Sequence, residues 1–168
     1  MTVSMYSAGV PILKQMLGAL SAVLDKAAAF AEAKKIDPAV LLASRLAPDM
    51  FALTRQVQIA TDQTKGGIAR LAGVEIPKFE DDETTIDQLK ARIAKTIAFI
   101  DSIPAASIDG TEAKAITLTM RVGDMHFTGQ TYLLNWVLPN VLFHCTTAYN
   151  ILRHNGVEIG KRDFLGSF

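Results

Sequence analysis

The side chain best placed to do chemistry in this sequence is His144. It lies in a stretch, Phe127 to Leu152, that holds no Asp, Glu, Lys or Arg, and an imidazole in such surroundings needs a hydrogen-bond partner or a ligand. At about 100° per residue with His144 at the origin, Leu133, Val137, Asn140, Val141, Ala148 and Ile151 fall within roughly 60° of it. Asn140 and His144 therefore share a core-facing stripe at the i, i+4 spacing that lets two side chains converge on one ligand. Two roles are open to His144: a structural or pocket-lining histidine without catalysis, or a functional group.

A second polar set lies earlier in the chain, where Met50, Leu53, Val57, Ala60, Ile68 and Leu71 form an apolar stripe. Thr54, Thr61 and Thr64 interrupt that stripe, and Gln58 and Asp62 run along its flank. A polar cavity follows if these converge with Asn140 and His144; the alternative is that each threonine bonds its own helix backbone one turn back. His126 falls in a segment with a hairpin pattern, and His154 near a helix C-terminus, where it can interact with the dipole. No cation precedes Cys145 to lower its pKa, so a buried inert thiol is expected. No phosphate-binding glycine loop, Cys-x-x-Cys, His-Glu-x-x-His or Gly-x-Ser-x-Gly occurs.

Four helices must position these groups. The first spans Pro11 to Lys35 on Leu13, Leu17, Leu20, Leu24 and Ala28, with Pro11 tolerated in its first turn. A connector with one helical turn covers Ile36 to Ala47, and the second helix runs from Pro48 to a left-handed cap at Gly73. After the acidic loop Glu80 to Glu83, Thr85 and Gln88 form a capping box before Leu89, Ile93, Ile97 and Ile100, and Pro104 stops this third helix. The period then changes: Ile116, Leu118 and Met120 alternate with polar residues, and Gly123-Asp124 turns the chain into Met125 to Thr128, a small β-hairpin. The last helix covers Gly129 to Asn155 with a kink at Pro139, Gly156 closes it, and Val157 to Phe168 is an irregular tail. These elements predict an all-α four-helix bundle with a hairpin before the last helix, in one domain over residues 1–168.

A chain of 168 residues needs no disulfide or structural metal to build a core. With 17 basic and 17 acidic residues it lacks the electrostatic footprint of a nucleic-acid binder. A lone cysteine and a start, Met1 to Ala8, without signal-sequence character point to the cytoplasm. The uncharged stretch Phe127 to Leu152 is long enough to span a membrane, but Gln130, Asn135, Asn140, His144, Thr146, Thr147, Asn150 and Pro139 argue for a helix buried in protein instead.

Met5-Tyr6-Ser7, Ala47-Pro48-Asp49-Met50-Phe51, Gln56-Val57-Gln58-Ile59-Ala60 and the run from His144 to Gly156 into Gly160-Lys161-Arg162-Asp163-Phe164-Leu165-Gly166 resemble a bacterial family of unknown function within the DinB/YfiT-like superfamily of four-helix-bundle metalloenzymes. The resemblance spans nearly the whole chain and implies an up-down-down-up bundle, commonly dimeric. It also implies three metal-binding histidines, one on the second helix and two at i, i+4 on the last, serving transferases or hydrolases. Matching Ile151-Leu152-Arg153 to the string that follows the paired histidines puts His144 on the second of them and Asn140 on the first. The second helix has no histidine, and one imidazole, an amide and at best Asp62 are not the set that zinc or nickel favours.

The expected function is thus small-molecule binding in a polar core pocket lined by Asn140, His144, Thr54, Gln58, Thr61 and Asp62, with a degenerate metal site and no cofactor. The alternatives are a transferase or hydrolase holding a divalent transition metal, and a structural dimer without a ligand. A homodimer is expected in any case, because Leu134, Leu138, Leu142, Cys145, Tyr149 and Leu152 make the back of the last helix apolar as well; the tail, through Phe164 and Leu165, is the other possible cover.

Overall fold

The computed structural model describes residues 3–121 and 123–167. Helix α1 (Met5–Lys34) begins six residues before Pro11, because Ser4 and Ser7 close a reciprocal capping box. Pro11 is therefore in the second turn, where its missing N–H leaves the Ser7 carbonyl without its helical donor. Lys35, in the left-handed region at φ 55°, ends the helix. Asp37 and Pro38 start the single-turn helix α2 (Pro38–Ala43) as N-cap and N1 residues.

Pro48 does not open the next helix. The Met50 N–H donates to the Ala47 carbonyl at 3.0 Å, so Pro48 serves as the second residue of a turn. Helix α3 (Leu53–Ala72) starts beyond it and ends on Gly73 in the left-handed conformation expected of it. Met50 consequently lies outside the apolar stripe. Helix α4 (Ile86–Asp101) has the Thr85–Gln88 capping box.

Strands β1 (Ala115–Met120) and β2 (Gly123–Thr128) form the hairpin, with Met120 opposite Gly123 and Thr119 opposite Asp124. Gly123 and Asp124 are therefore paired strand residues rather than the turn expected there, and residue 122 lies outside the described set. Gly123, at φ 117°, opens β2 in a conformation that side chains disfavour.

The last helix is continuous in path but not in pitch. Helix α5 (Gly129–Tyr132) passes into a π-helical segment (Leu133–Val137) and then into α6 (Leu138–His154). The Leu138 N–H donates to the Leu133 carbonyl, five residues back, and Pro139 follows at once without a donor. A short helix α7 (Lys161–Leu165) replaces the expected irregular tail. Five residues cannot hold a helix alone. It is held by a Lys26–Asp163 ion pair at 2.6 Å, by Gln15 donating to the Leu165 carbonyl at 2.7 Å, and by Phe164 edge-on to Tyr149.

Contacts along the chain fix the direction of each helix. Gly9 lies against Leu133 and Gly156 against Phe30, so α1 and α6 run parallel. Lys14–Asp101 and Asp25–Lys90 pairs make α1 and α4 antiparallel. Gln56 meets His144 while Gly67 lies against Val137, making α3 and α6 antiparallel. The order is up-down-down-up around one core. Parallel neighbours α3 and α4 require residues 73–85 to run back along the bundle.

Helix α1 is apolar enough by composition to cross a membrane, with a mean hydropathy of 1.3 over its most apolar window, and half of that window is buried within the bundle.

Candidate functional site

The apolar stripe of α6 seats His144 against α3, leaving it 9% exposed. The side chain it meets there is Gln56, which sequence reasoning did not single out: Nδ1 lies 2.7 Å from Gln56 Oε1. Gln56 is itself 1% exposed, and its Nε2 donates to the Phe51 carbonyl at 3.0 Å. That second bond orients the amide, so Oε1 faces the imidazole and Nδ1 must carry the proton. Nε2 of His144 is then an acceptor, and it has no hydrogen bond among the described residues. No fully buried side-chain polar atom among them lacks a partner, so Nε2 reaches the surface. Phe143, 55% exposed, stands edge-on to the imidazole at 5.2 Å. Burial pushes the His144 pKa below its ordinary value and the Arg55 charge adds to that, so the ring is neutral at pH 7.

Asn140 does not join His144. It is half-buried, and its amide donates to the Trp136 carbonyl at 2.7 Å, a backbone bond one turn back, beside Pro139. The helix-two set does not join it either. Thr54 donates to the Leu42 carbonyl of α2 at 3.2 Å, and Thr64 bonds the Ala60 carbonyl one turn back at 2.9 Å. Thr61, Gln58 and Asp62 gather instead around a residue the sequence reading passed over, Arg92 of α4.

The Arg92 side chain is 2% exposed. Its Nε donates to Thr61 Oγ1 at 2.7 Å, Nη1 to Glu83 Oε1 at 2.9 Å and to the Glu80 carbonyl at 2.8 Å, and Nη2 to Asp62 Oδ1 at 2.7 Å. Asp81 lies 3.0 Å from Nη2. Gln58 donates to the other oxygen of Glu83 at 2.8 Å and accepts from Arg55 at 3.1 Å, Arg55 pairs with Asp81, and Lys65 stands 3.0 Å from Asp62. Burial alone would raise Glu83, but hydrogen bonds from Arg92 and Gln58 overcome it and hold the carboxyl below the usual carboxylate range. This cluster pins the crossover to α3 and α4.

Cys145 is buried and its thiol pKa is pushed up to about 12, leaving it unreactive at pH 7. His126 is exposed beside Thr117, and His154 is exposed at the end of α6. The back of α6 is covered over half its length: Cys145 and Tyr149 pack with Phe164 of α7 and with Met16, Ala19, Leu20 and Val23 of α1, whereas Leu134 and Leu142 remain about 40% exposed.

A three-histidine metal site does not fit these residues. His144 offers one nitrogen, Asn140 is bonded to backbone, Gln56 occupies the facing position on α3, and among the described residues no three His, Cys, Asp or Glu side chains group together. A crystallised DinB family member protein from Shewanella denitrificans is 45% identical, with a TM-score of 0.89 over 97% of this chain and 92% of that one. No curated protein matches the chain. The model of the domain of unknown function DUF1993 matches residues 5–165, and the chain accordingly belongs to that family, with a DinB-like helical fold.

Proposed function

We propose that this protein is a small-molecule-binding helical bundle whose recognition group is His144. The observation that supports this reading is the division of labour in the imidazole: Nδ1 is committed to Gln56, Nε2 is open, and the ring is otherwise enclosed. An uncharged acceptor nitrogen beside the exposed ring of Phe143 suits a ligand with a hydroxyl or N–H donor on an apolar body. The same geometry argues against the metal-dependent alternative, because a zinc ion on Nε2 would lack two further protein ligands.

Phenol and anisole test it, since they share a shape and differ in the donor. With histidine side chains labelled with nitrogen-15, the His144 Nε2 resonance of the natural protein should be that of an unprotonated acceptor at pH 7 and should move saturably with phenol but not with anisole. Equal responses to both, or a proton on Nε2, would sink the proposal. A shift of Nε2 on adding zinc at one equivalent would instead favour the metal-dependent reading.

A further inference from the structure

At the other end of α3, 14 residues and about 21 Å beyond Gln56, lies a cavity of about 350 Å³ lined by Gln63, Arg70, Thr117, Leu118, Thr119, Met120 and Trp136. Its volume is within the range of small-molecule sites. It contains one cation and no acid. Arg70 makes no ion pair among the described residues, in contrast to Arg92 and Arg55 on the same bundle.

Arg70 is nevertheless held in place. Its Nη1 donates to the hydroxyl of Tyr132 at 3.2 Å. Tyr132 is 1% exposed, and burial pushes its pKa up, so it is a neutral partner that leaves the guanidinium charge uncompensated. One turn earlier, Gly66 gives the guanidinium room: a Cβ there would lie 2.7 Å from Nη1. The guanidinium is thus folded back on its own helix, while Nε and Nη2 donate to nothing among the described residues. Opposite stand the outer residues of β1, whose two-stranded sheet leaves one strand edge unpaired, and the half-buried indole of Trp136, carried on the π-helical segment and packed against Phe127 at 5.7 Å. π-Helical turns are frequent at functional sites.

A fixed planar cation with free donors, hydroxyl and amide side chains around it and an indole wall are the complement of one class of ligand. We propose that this cavity binds a small organic carboxylate with a planar apolar body, the carboxylate on Arg70 and the body on Trp136. The site shares no lining residue with His144, so it stands or falls independently of the function proposed above.

Trp136 is the single tryptophan of the chain and reports on its own site. Benzoate titrated into the natural protein should change tryptophan emission saturably. Benzamide, which has the same shape without the charge, should bind at least tenfold more weakly, and inorganic phosphate, an anion without a planar body, should not displace benzoate at equal concentration. Arg70→Gln should weaken benzoate at least tenfold. Because that change also removes the bond to Tyr132, Gln63→Glu serves as a second variant: it preserves shape and the Arg70–Tyr132 contact, adds a competing carboxylate to the lining, and should weaken benzoate at least fivefold with an unchanged melting temperature. The proposal is overturned by no saturable response to benzoate, by benzamide binding equally well, by phosphate displacing benzoate, or by a folded Gln63→Glu variant that binds benzoate like the natural protein.

Discussion

Arg92 and His144 are both polar side chains sunk among apolar neighbours, and they end in opposite conditions. Arg92 donates four hydrogen bonds, to Thr61, Asp62, Glu83 and the Glu80 carbonyl, and Asp81 lies 3.0 Å from its Nη2 as a further ion-pair partner. His144 has one bond and one open nitrogen. A buried polar group whose every nitrogen is engaged has little left for a ligand; its bonds are spent on the fold, here on tying residues 80–83 to α3 and α4 so that two parallel helices can share one crossover. A group with a valence left open at the surface is the one that can recognise something. Buried polarity alone therefore does not mark a site, and the balance of donors and acceptors does.

The sharpest way to break this comparison is to empty the closed cluster. Arg92→Met should destabilise the protein by about 3 kcal/mol in urea denaturation, because Glu83 is left buried without its cation. Asp62 and Asp81 are about a third or more exposed, so solvent takes over much of their loss. Converting Glu83 to Gln in the Arg92→Met background should recover part of the stability, since the uncompensated charge disappears. A loss under about 1 kcal/mol for Arg92→Met would mean that the cluster does not hold the crossover.

A smaller effect is expected at the open pair. Gln56→Leu removes the acceptor of the His144 Nδ1–H and should cost about 1–2 kcal/mol. It should also free the ring to exchange its proton between nitrogens, so that the nitrogen-15 signature of His144 becomes that of a tautomer mixture. Retention of a single Nδ1–H form in Gln56→Leu would show that some other group orients the imidazole.

The bundle was legible in the sequence because its helices are long and its caps are local: Thr85 with Gln88, and Gly73 after Ala72, carry their signal within a few residues. His144 was legible for the same reason, as a polar residue within a long stripe. What failed was pairing across helices. Thr61, Asp62 and Gln58 were recognised as polar beyond the needs of packing, but the partner they serve sits on α4, and nothing in their own segment names it. Arg92 carried a signal of its own, since it falls three residues after Leu89 and one before Ile93, inside the buried stripe. Gln56 likewise falls between Leu53 and Val57 on the buried face of α3. Asn140 lies one turn before His144 in the same α-helix, but its amide is taken up by the Trp136 carbonyl one turn back, a local backbone bond that a helical wheel does not count.

The two regions also differ in the pH range where each loses its contribution, and this gives the finest test. The His144 pKa is depressed in the folded chain from an ordinary value of 6.5, so the folded state binds the proton less readily than the unfolded one. Its contribution is complete above that value and falls as the pH drops below it. The Glu83 pKa is depressed from 4.5, so its contribution is intact through the range where His144 titrates and is lost only in more acid solution. Either group alone changes stability by no more than about 1.4 kcal/mol per pH unit. Chemical denaturation of the natural protein, His144→Gln and Glu83→Gln from pH 8 to pH 3 separates them: the natural curve should decline in two stages, His144→Gln should lack the stage that begins near pH 6.5, and Glu83→Gln should decline less in the stage below pH 4.5, where Asp163, held low by its bond from Lys26, still contributes. If His144→Gln kept the upper stage, the imidazole would not be an enclosed neutral base, and the contrast between the open and the closed site would lose its foundation.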